Sequence, residues 1–392
     1  MPDVHARLSA SSSKRWMMCP PSVALEETFP KEKESVYAQE GTHAHALAEL
    51  ILRYNNNEIN KRTFNSKLKK LQENPLWTEE MQLFIEQYAH DVWEIVNEVK
   101  ATCADPQVLF EQRLDFSAWV EEGFGTGDVV IISDDTIHII DLKFGKGVGV
   151  SAINNPQLRL YGLGAVDTYG LLYDFNKVKM TIIQPRLDHT DSEELTVSEL
   201  VEWAETEVKP KAELAYAGKG DFKAGDHCQF CKAKATCRAR AEEQLKVAQY
   251  DFAEPPTLRP SEIADILSRE KQFAKWIKDV VEYAVDMAVN KGVTFPGFKV
   301  VEANTKSKIK DPILLAQALK ELGYTEGAIY KPQELKGITD LKKLLSKEHK
   351  EELNDHLIKP QGAPTLAPET DKRPVYQSVD QAKQDFDDDL LC

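Results

Sequence analysis

Asp128, Asp141 and Lys143 are the residues of this chain whose types and spacing point most directly to chemistry. Asp141 and Lys143 stand two apart near the end of the run TIHIIDLKFGKG, so on a strand both side chains leave the same face. A carboxylate on a half-buried sheet costs free energy unless a partner compensates it, and with Lys143 alone the pair reads as an ordinary ion pair at a strand end. Asp128 changes that reading. It begins the preceding apolar run, in GTGDVVIIS, and the turn signal Asp134-Asp135 separates the two runs. A hairpin across that turn brings Asp128 and Asp141 onto neighbouring strands, where they converge.

Two converging carboxylates repel each other unless a cation sits between them, and oxygen ligands favour Mg2+ or Mn2+. An ion held this way acidifies a bound water and neutralises charge developing on a phosphate, and Lys143 can stabilise the pentavalent transition state. Phosphodiester hydrolysis is the reaction such a group suits.

A second constellation consists of thiols. Of six cysteines, Cys228, Cys231 and Cys237 fall within ten residues, spaced x2 and x5. In a reducing compartment that spacing indicates a metal rather than disulfides. A four-ligand site needs one more donor, and Cys19, in WMMCPP, is the candidate. Four thiolates suit either an iron–sulfur cluster or a structural Zn2+. Cys103 and Cys392 are expected to be free thiols.

The elements that must position these groups follow from periodicity. EGTHAHALAELILRY and MQLFIEQYAHDVWEIVNEVK carry apolar residues at helical spacing. QVLFEQRLDF, GTGDVVIIS and TIHIIDLKFG then read as a three-strand meander. NPQLRLYGLGAVDTYG reads as a helix capped by Asn155 with Pro156 in its first turn, KVKMTIIQPRL as a strand, and SELVEWAETEVKPKAELAYAG as a helix. The order helix, meander, helix, strand predicts an α/β core. Beyond the cysteines, helices, a strand or hairpin at GFKVVEANTKSKI and a helix at DPILLAQALKELG predict an α+β extension. The expected domains are residues 1–245, a mostly helical accessory region over 246–358, and a disordered acidic tail over 359–392.

Composition narrows the function. A net charge of -15 excludes indiscriminate coating of nucleic acid, because phosphate binding depends on local Lys and Arg. Lys146 and Arg159 near the acids, and Lys232, Lys234 and Arg238 around the cysteines, could line a DNA groove on an otherwise acidic surface. No apolar run reaches about 18 residues and the N-terminus lacks a signal-peptide core, so a cytoplasmic protein with no membrane role is expected.

Asp128, Asp141 and Lys143, as D-x12-D-x-K on consecutive strands, resemble the PD-(D/E)XK nuclease superfamily, with Gly127 where that family usually has proline. GTHAH, ending at His45, resembles the helix motif of RecB-type nucleases, and QLRLY, Gln157 to Tyr161, resembles their Q-x3-Y motif. One cysteine before the core and three after it resemble the iron–sulfur nucleases, among them the B subunit of the AddAB helicase–nuclease and CRISPR-associated adaptation nucleases. FPGFKVVEANTKSKIKD and APTLAPETDKRPVY are similar to segments of a phage-encoded RecB-like family of unknown function.

This resemblance implies a restriction-endonuclease-like core and a metal-dependent DNA exonuclease of phage recombination or end processing. It implies that His45, Asp128, Asp141 and the backbone carbonyl of Leu142 hold the metal. Glu111 and Glu49 are weaker candidates for outer contacts or a second ion. Gln157 and Tyr161 would position Lys143 or a DNA strand, and Cys19, Cys228, Cys231 and Cys237 would hold a 4Fe-4S cluster, with Zn2+ as the alternative. The substrate expected is linear duplex or single-stranded DNA; the rival reading is a catalytically weak DNA-binding scaffold. The final DFDDDLLC resembles the acidic tip of bacterial single-stranded DNA-binding proteins and implies docking of such a protein or of an annealing partner.

Overall fold

The apolar runs between residues 107 and 184 form most of one five-stranded sheet. In the computed structural model, which describes residues 6–30, 35–147, 149–246, 258–301, 311–321, 325–330 and 357, the strands are β1 (Gln107–Asp115), β2 (Phe124–Ile132), β3 (Thr136–Leu142), β4 (Lys177–Gln184) and β5 (His189–Thr196). They lie in sequence order. β1, β2 and β3 form the expected antiparallel meander, β3 and β4 are parallel, and β5 closes the sheet antiparallel to β4.

The helices are α1 (Ser13–Met18), α2 (Ser22–Glu27), α3 (Val36–Asn55), α4 (Lys61–Gln72), α5 (Glu79–Thr102), α6 (Pro156–Tyr169), α7 (Val197–Trp203), α8 (Lys209–Tyr216), α9 (Arg238–Leu245) and α10 (Pro260–Lys291). α6 is the crossover that a parallel β3–β4 pair requires. Its start is set as the sequence predicts: the Asn155 side chain accepts from the amides of Gln157 and Leu158, and Pro156 occupies the first turn.

β3 shows how the sheet divides two cores. Ile137 and Ile139 pack with α6, the helices after β5 and buried N-terminal residues such as Leu8 and Trp16. Ile140 and Leu142 pack with α3 and α5. Strand alternation sends neighbours to opposite faces, so the sheet is a middle layer with helices on both sides.

β5 has no counterpart in the sequence reading. Its residues HTDSEELT are polar on both faces and alternate between half-buried and exposed, so neither an apolar period nor β-branched enrichment marks them. Pairing from Lys177–Thr196 through Gln184–His189 holds the strand in place.

The chain divides into two units, Met1–Lys291 and Gly292–Cys392. The first includes α10, a single 32-residue helix. Its one buried residue, Asp279, receives the Arg240 guanidinium at 2.6 Å, with Lys234 at 3.6 Å. Removing one member of a buried pair strands the other. Asp279→Ala is therefore expected to lower stability by about 3 kcal/mol, read as a lower urea midpoint, whereas Asp279→Asn retains part of the contact and loses less.

In the second unit, α11 (Pro312–Glu321) and α12 (Glu326–Ile329) are described. Residues 297–301 of the expected strand or hairpin carry no strand, and its remainder and the tail over 359–392 lie outside the described residues. Among the described residues, no helix is long and apolar enough to cross a membrane.

Candidate functional site

The ladder between β1 and β2 pairs Phe110 with Val129 and Gln112 with Gly127, which brackets Glu111 opposite Asp128. Val129 pairs with Ile140 on β3, so the next residues, Asp128 and Asp141, also face each other. Three carboxylates thus stand in one row across three strands. Beyond Val129 the β2–β3 ladder stops, and the Asp128 side chain replaces it by accepting the Leu142 amide at 2.7 Å. The strands part where the acids sit. Glu111 adopts φ +52, a left-handed conformation costing about 1–3 kcal/mol for a residue with a side chain, of the kind that clusters at functional sites.

His45, on α3, reaches the row from the other side, with Nδ1 3.0 Å from Asp128 Oδ1. Donor atoms of His45, Glu111 and Asp128 lie within 4.8 Å of one another, the one such set among the described residues. Glu111, a weaker candidate in the sequence, thus joins the tightest group. Asp141 stands on the lysine side: Lys143 Nζ is 2.8 Å from Asp141 Oδ2. That approach is an ion pair lacking hydrogen-bond alignment, since Asp141 Oδ2 is buried with no hydrogen-bond partner. The Leu142 amide donates to Asp128 Oδ2, at the strand position whose carbonyl is the expected ligand. Glu49 is committed to Arg53 at 2.8 Å.

The charges do not balance internally. Burial works against a charged His45, but Asp128, Asp141 and Glu111 outweigh it and hold the ring's pKa at about 9. Burial, then Asp128, pushes Glu111 up to about 7. Burial also raises Asp141, helped by Asp128 and opposed by Lys143. For Asp128 burial is again the largest influence, yet His45, the Leu142 amide and Lys143 hold it below the usual carboxylate range. An acidic row that retains protons, in which Asp141 Oδ2 has an ion pair but no aligned hydrogen bond, fits a divalent cation.

A pH prediction follows. Binding a cation must expel protons from His45 and Glu111, so Mn2+ affinity is expected to rise with pH between about 7 and about 9. Without metal the signs run the other way. A raised histidine pKa stabilises below its unfolded value of 6.5, and that contribution fades as pH climbs through about 9. A raised glutamate pKa costs stability as pH climbs from 4.5 to about 7. The metal-free melting temperature should therefore fall with rising pH and recover with Mn2+, as calorimetry in the two conditions would read.

Lys143 is held by a short relay. Its Nζ donates to Gln157 Oε1 at 3.0 Å, while Gln157 Nε2 donates to the Tyr161 hydroxyl at 3.1 Å and weakly to Asp141 Oδ1 at 3.4 Å. One α6 turn separates Gln157 from Tyr161, so both reach the same face. Gly125 makes room for this, since a Cβ there would lie 2.5 Å from the Tyr161 ring. The first glycine of GTGD is the sequence signal for that close approach.

Cys19, Cys228, Cys231 and Cys237 line one pocket together with Arg15, His227 and Arg240. All four are free thiols. Burial raises Cys228 and pushes Cys231 up to about 12, so metal binding would release their protons. Among the described residues no three sulfurs lie within 4.8 Å of one another. Cys103 is buried and free, as expected.

The basic residues divide. Lys146, Lys232 and Arg238 are exposed. Arg159 is not available to DNA as expected: it makes two hydrogen bonds to Glu193, at 2.6 and 2.8 Å, and lies over the Trp203 ring. Its partner sits on β5, the strand the sequence concealed. Lys234 is drawn to Asp279.

Fold and site together define a mixed α/β protein whose central sheet carries a histidine–carboxylate–lysine cluster where two strands part. The chain belongs to the family described as protein of unknown function (DUF2800), whose model matches residues 5–374. A solved structure titled "Crystal structure of SSO0001" is similar at 14% identity, over 58% of this chain and 96% of that one, with a TM-score of 0.23.

Proposed function

We propose that this protein is a metal-dependent DNA nuclease of the PD-(D/E)XK type, with a restriction-endonuclease-like core and RecB-like motifs, acting on linear duplex or single-stranded DNA. The observation that carries the reading is the facing pair Asp128 and Asp141, with His45 on the first and Lys143 on the second. A Mg2+ or Mn2+ ion bound there would neutralise phosphate charge and make water acidic enough to attack a phosphodiester. His45, Glu111 and Asp128 would hold it, with Asp141 joining from the lysine side. Lys143 has three donors, of which Gln157 engages one, while Asp141 pairs with the ammonium charge. Donors therefore remain for a phosphoryl oxygen, and Gln157 and Tyr161 fix the direction of the ammonium.

The four cysteines are proposed to hold a 4Fe-4S cluster, with structural Zn2+ as the alternative, tying the N-terminal segment to the loop before α9. Lys146, Lys232 and Arg238 are proposed to track the DNA backbone. Exonuclease action at DNA ends in phage recombination, in the cytoplasm and with a partner held by the acidic tail, is the setting the sequence resemblance suggests. An acidic row of this kind speaks against a scaffold that only binds DNA, since such a scaffold needs no buried charge cluster.

The test is incubation of anaerobically purified protein with end-labelled linear DNA and Mn2+ or Mg2+. Progressive shortening from an end is expected. Intact DNA under every metal condition would overturn the proposal, and nicking of closed circles would replace exonuclease with endonuclease.

A further inference from the structure

Glu111 keeps its left-handed φ of +52 beside a carbonyl that two side chains grip. The Phe110 oxygen accepts from Arg53 Nη2 at 3.1 Å and from Gln112 Nε2 at 2.9 Å, and a carbonyl has two lone pairs for such donors. That oxygen belongs to the planar peptide whose nitrogen is Glu111's own, so gripping it fixes the plane from which the φ of Glu111 turns. Arg53 is itself aimed. Its Nε donates to Glu49 at 2.8 Å and its Nη1 to Glu58 at 2.6 Å, leaving Nη2 for the carbonyl. His45, Glu49 and Arg53 recur every four residues along α3, hence on one face. The helix that brings His45 to Asp128 thus also reaches the backbone under Glu111, while Gln112 Oε1 accepts from the Tyr169 hydroxyl at 3.4 Å.

We propose, on the metal reading of the acidic row, that Arg53 and Gln112 are positioning residues: they clamp the Phe110–Glu111 peptide so that the Glu111 carboxylate stays beside His45 and Asp128 as a cation ligand. A residue with a side chain leaves this conformation unless its surroundings hold it, and a turn in φ swings its Cβ and carboxylate away. Neither clamp residue would touch the ion.

Mn2+ alone is the probe, titrated into anaerobically prepared full-length protein. Arg53→Met keeps the apolar stem and is expected to weaken Mn2+ binding about 10-fold, the scale on which losing a group that supports a ligand acts. Charge alone predicts the opposite, because removing a cation and freeing Glu49 and Glu58 should attract Mn2+. Gln112→Ala changes no charge, should weaken binding likewise, and replaces Arg53→Met if that variant does not fold. Unchanged or tighter binding in the folded variant overturns the inference and leaves the metal site standing. The clamp can also be read without metal. Glu111→Gly should melt several degrees above Glu111→Ala, since glycine alone takes positive φ freely, and the advantage should vanish once Arg53→Met is added. Equal melting of the two, or an advantage that survives Arg53→Met, overturns the clamp. No saturable Mn2+ binding by the wild-type protein overturns the metal reading and the positioning role with it, whatever the melting comparison shows.

Discussion

Replacing Lys143 with alanine is expected to lower DNA cleavage about 100- to 1,000-fold, the usual cost of removing one preorganised donor from a developing negative charge. The ammonium lies 2.8 Å from Asp141 and 3.0 Å from Gln157, and is 27% exposed. It is thus both fixed in direction and open to a phosphate. Arginine should not rescue it, because a planar fork does not replace a point charge in this relay. The substitution also leaves Asp141 without its cation, so a carboxyl already raised by burial rises further. A raised carboxylate pKa costs stability above the unfolded value, so Lys143→Ala should lose stability relative to wild type as pH increases from acid toward neutral. Cleavage rate and a pH series of melting curves check the two effects separately.

The second large effect is expected at Cys19. Of the four thiols lining the pocket it alone comes from the N-terminal segment, about 200 residues before the other three. A shared metal or cluster would cross-link that span. In the loop-closure argument, losing a cross-link across about 200 residues costs roughly 5 kcal/mol. Cys19→Ser is expected to lower the urea midpoint accordingly and to remove the broad absorption band near roughly 400 nm that the proposed iron–sulfur ligation would give the anaerobic protein. A colourless wild-type protein that still loses stability on this substitution would place zinc at the clasp. Wild-type stability in Cys19→Ser would mean that no cross-link exists.

Much of the site can be read in the sequence because its signals are local. Asp141 and Lys143 share a face by strand alternation, Asp128 follows from one short turn, and Gln157 and Tyr161 are one turn apart behind an asparagine cap. What the sequence conceals is set by pairing between strands. Glu111 rises from a minor candidate to a member of the tightest donor set because the β1–β2 ladder places it opposite Asp128. Its left-handed backbone has no glycine or asparagine to announce it.

Arg159 shows the reverse error. As an exposed helix arginine it suits DNA, but polar β5 brings Glu193 beneath it.

The most direct test of the central claim is a Mn2+ titration of the metal-stripped protein beside its Asp128→Asn variant. Asp128 is bonded to His45, opposes Glu111 and Asp141 and receives the Leu142 amide, so an amide there removes the charge at the centre of the row. The account predicts saturable Mn2+ binding by the wild-type protein and its loss in the variant, with both chains folded. Binding of equal strength in the two proteins, or none in either, would contradict it.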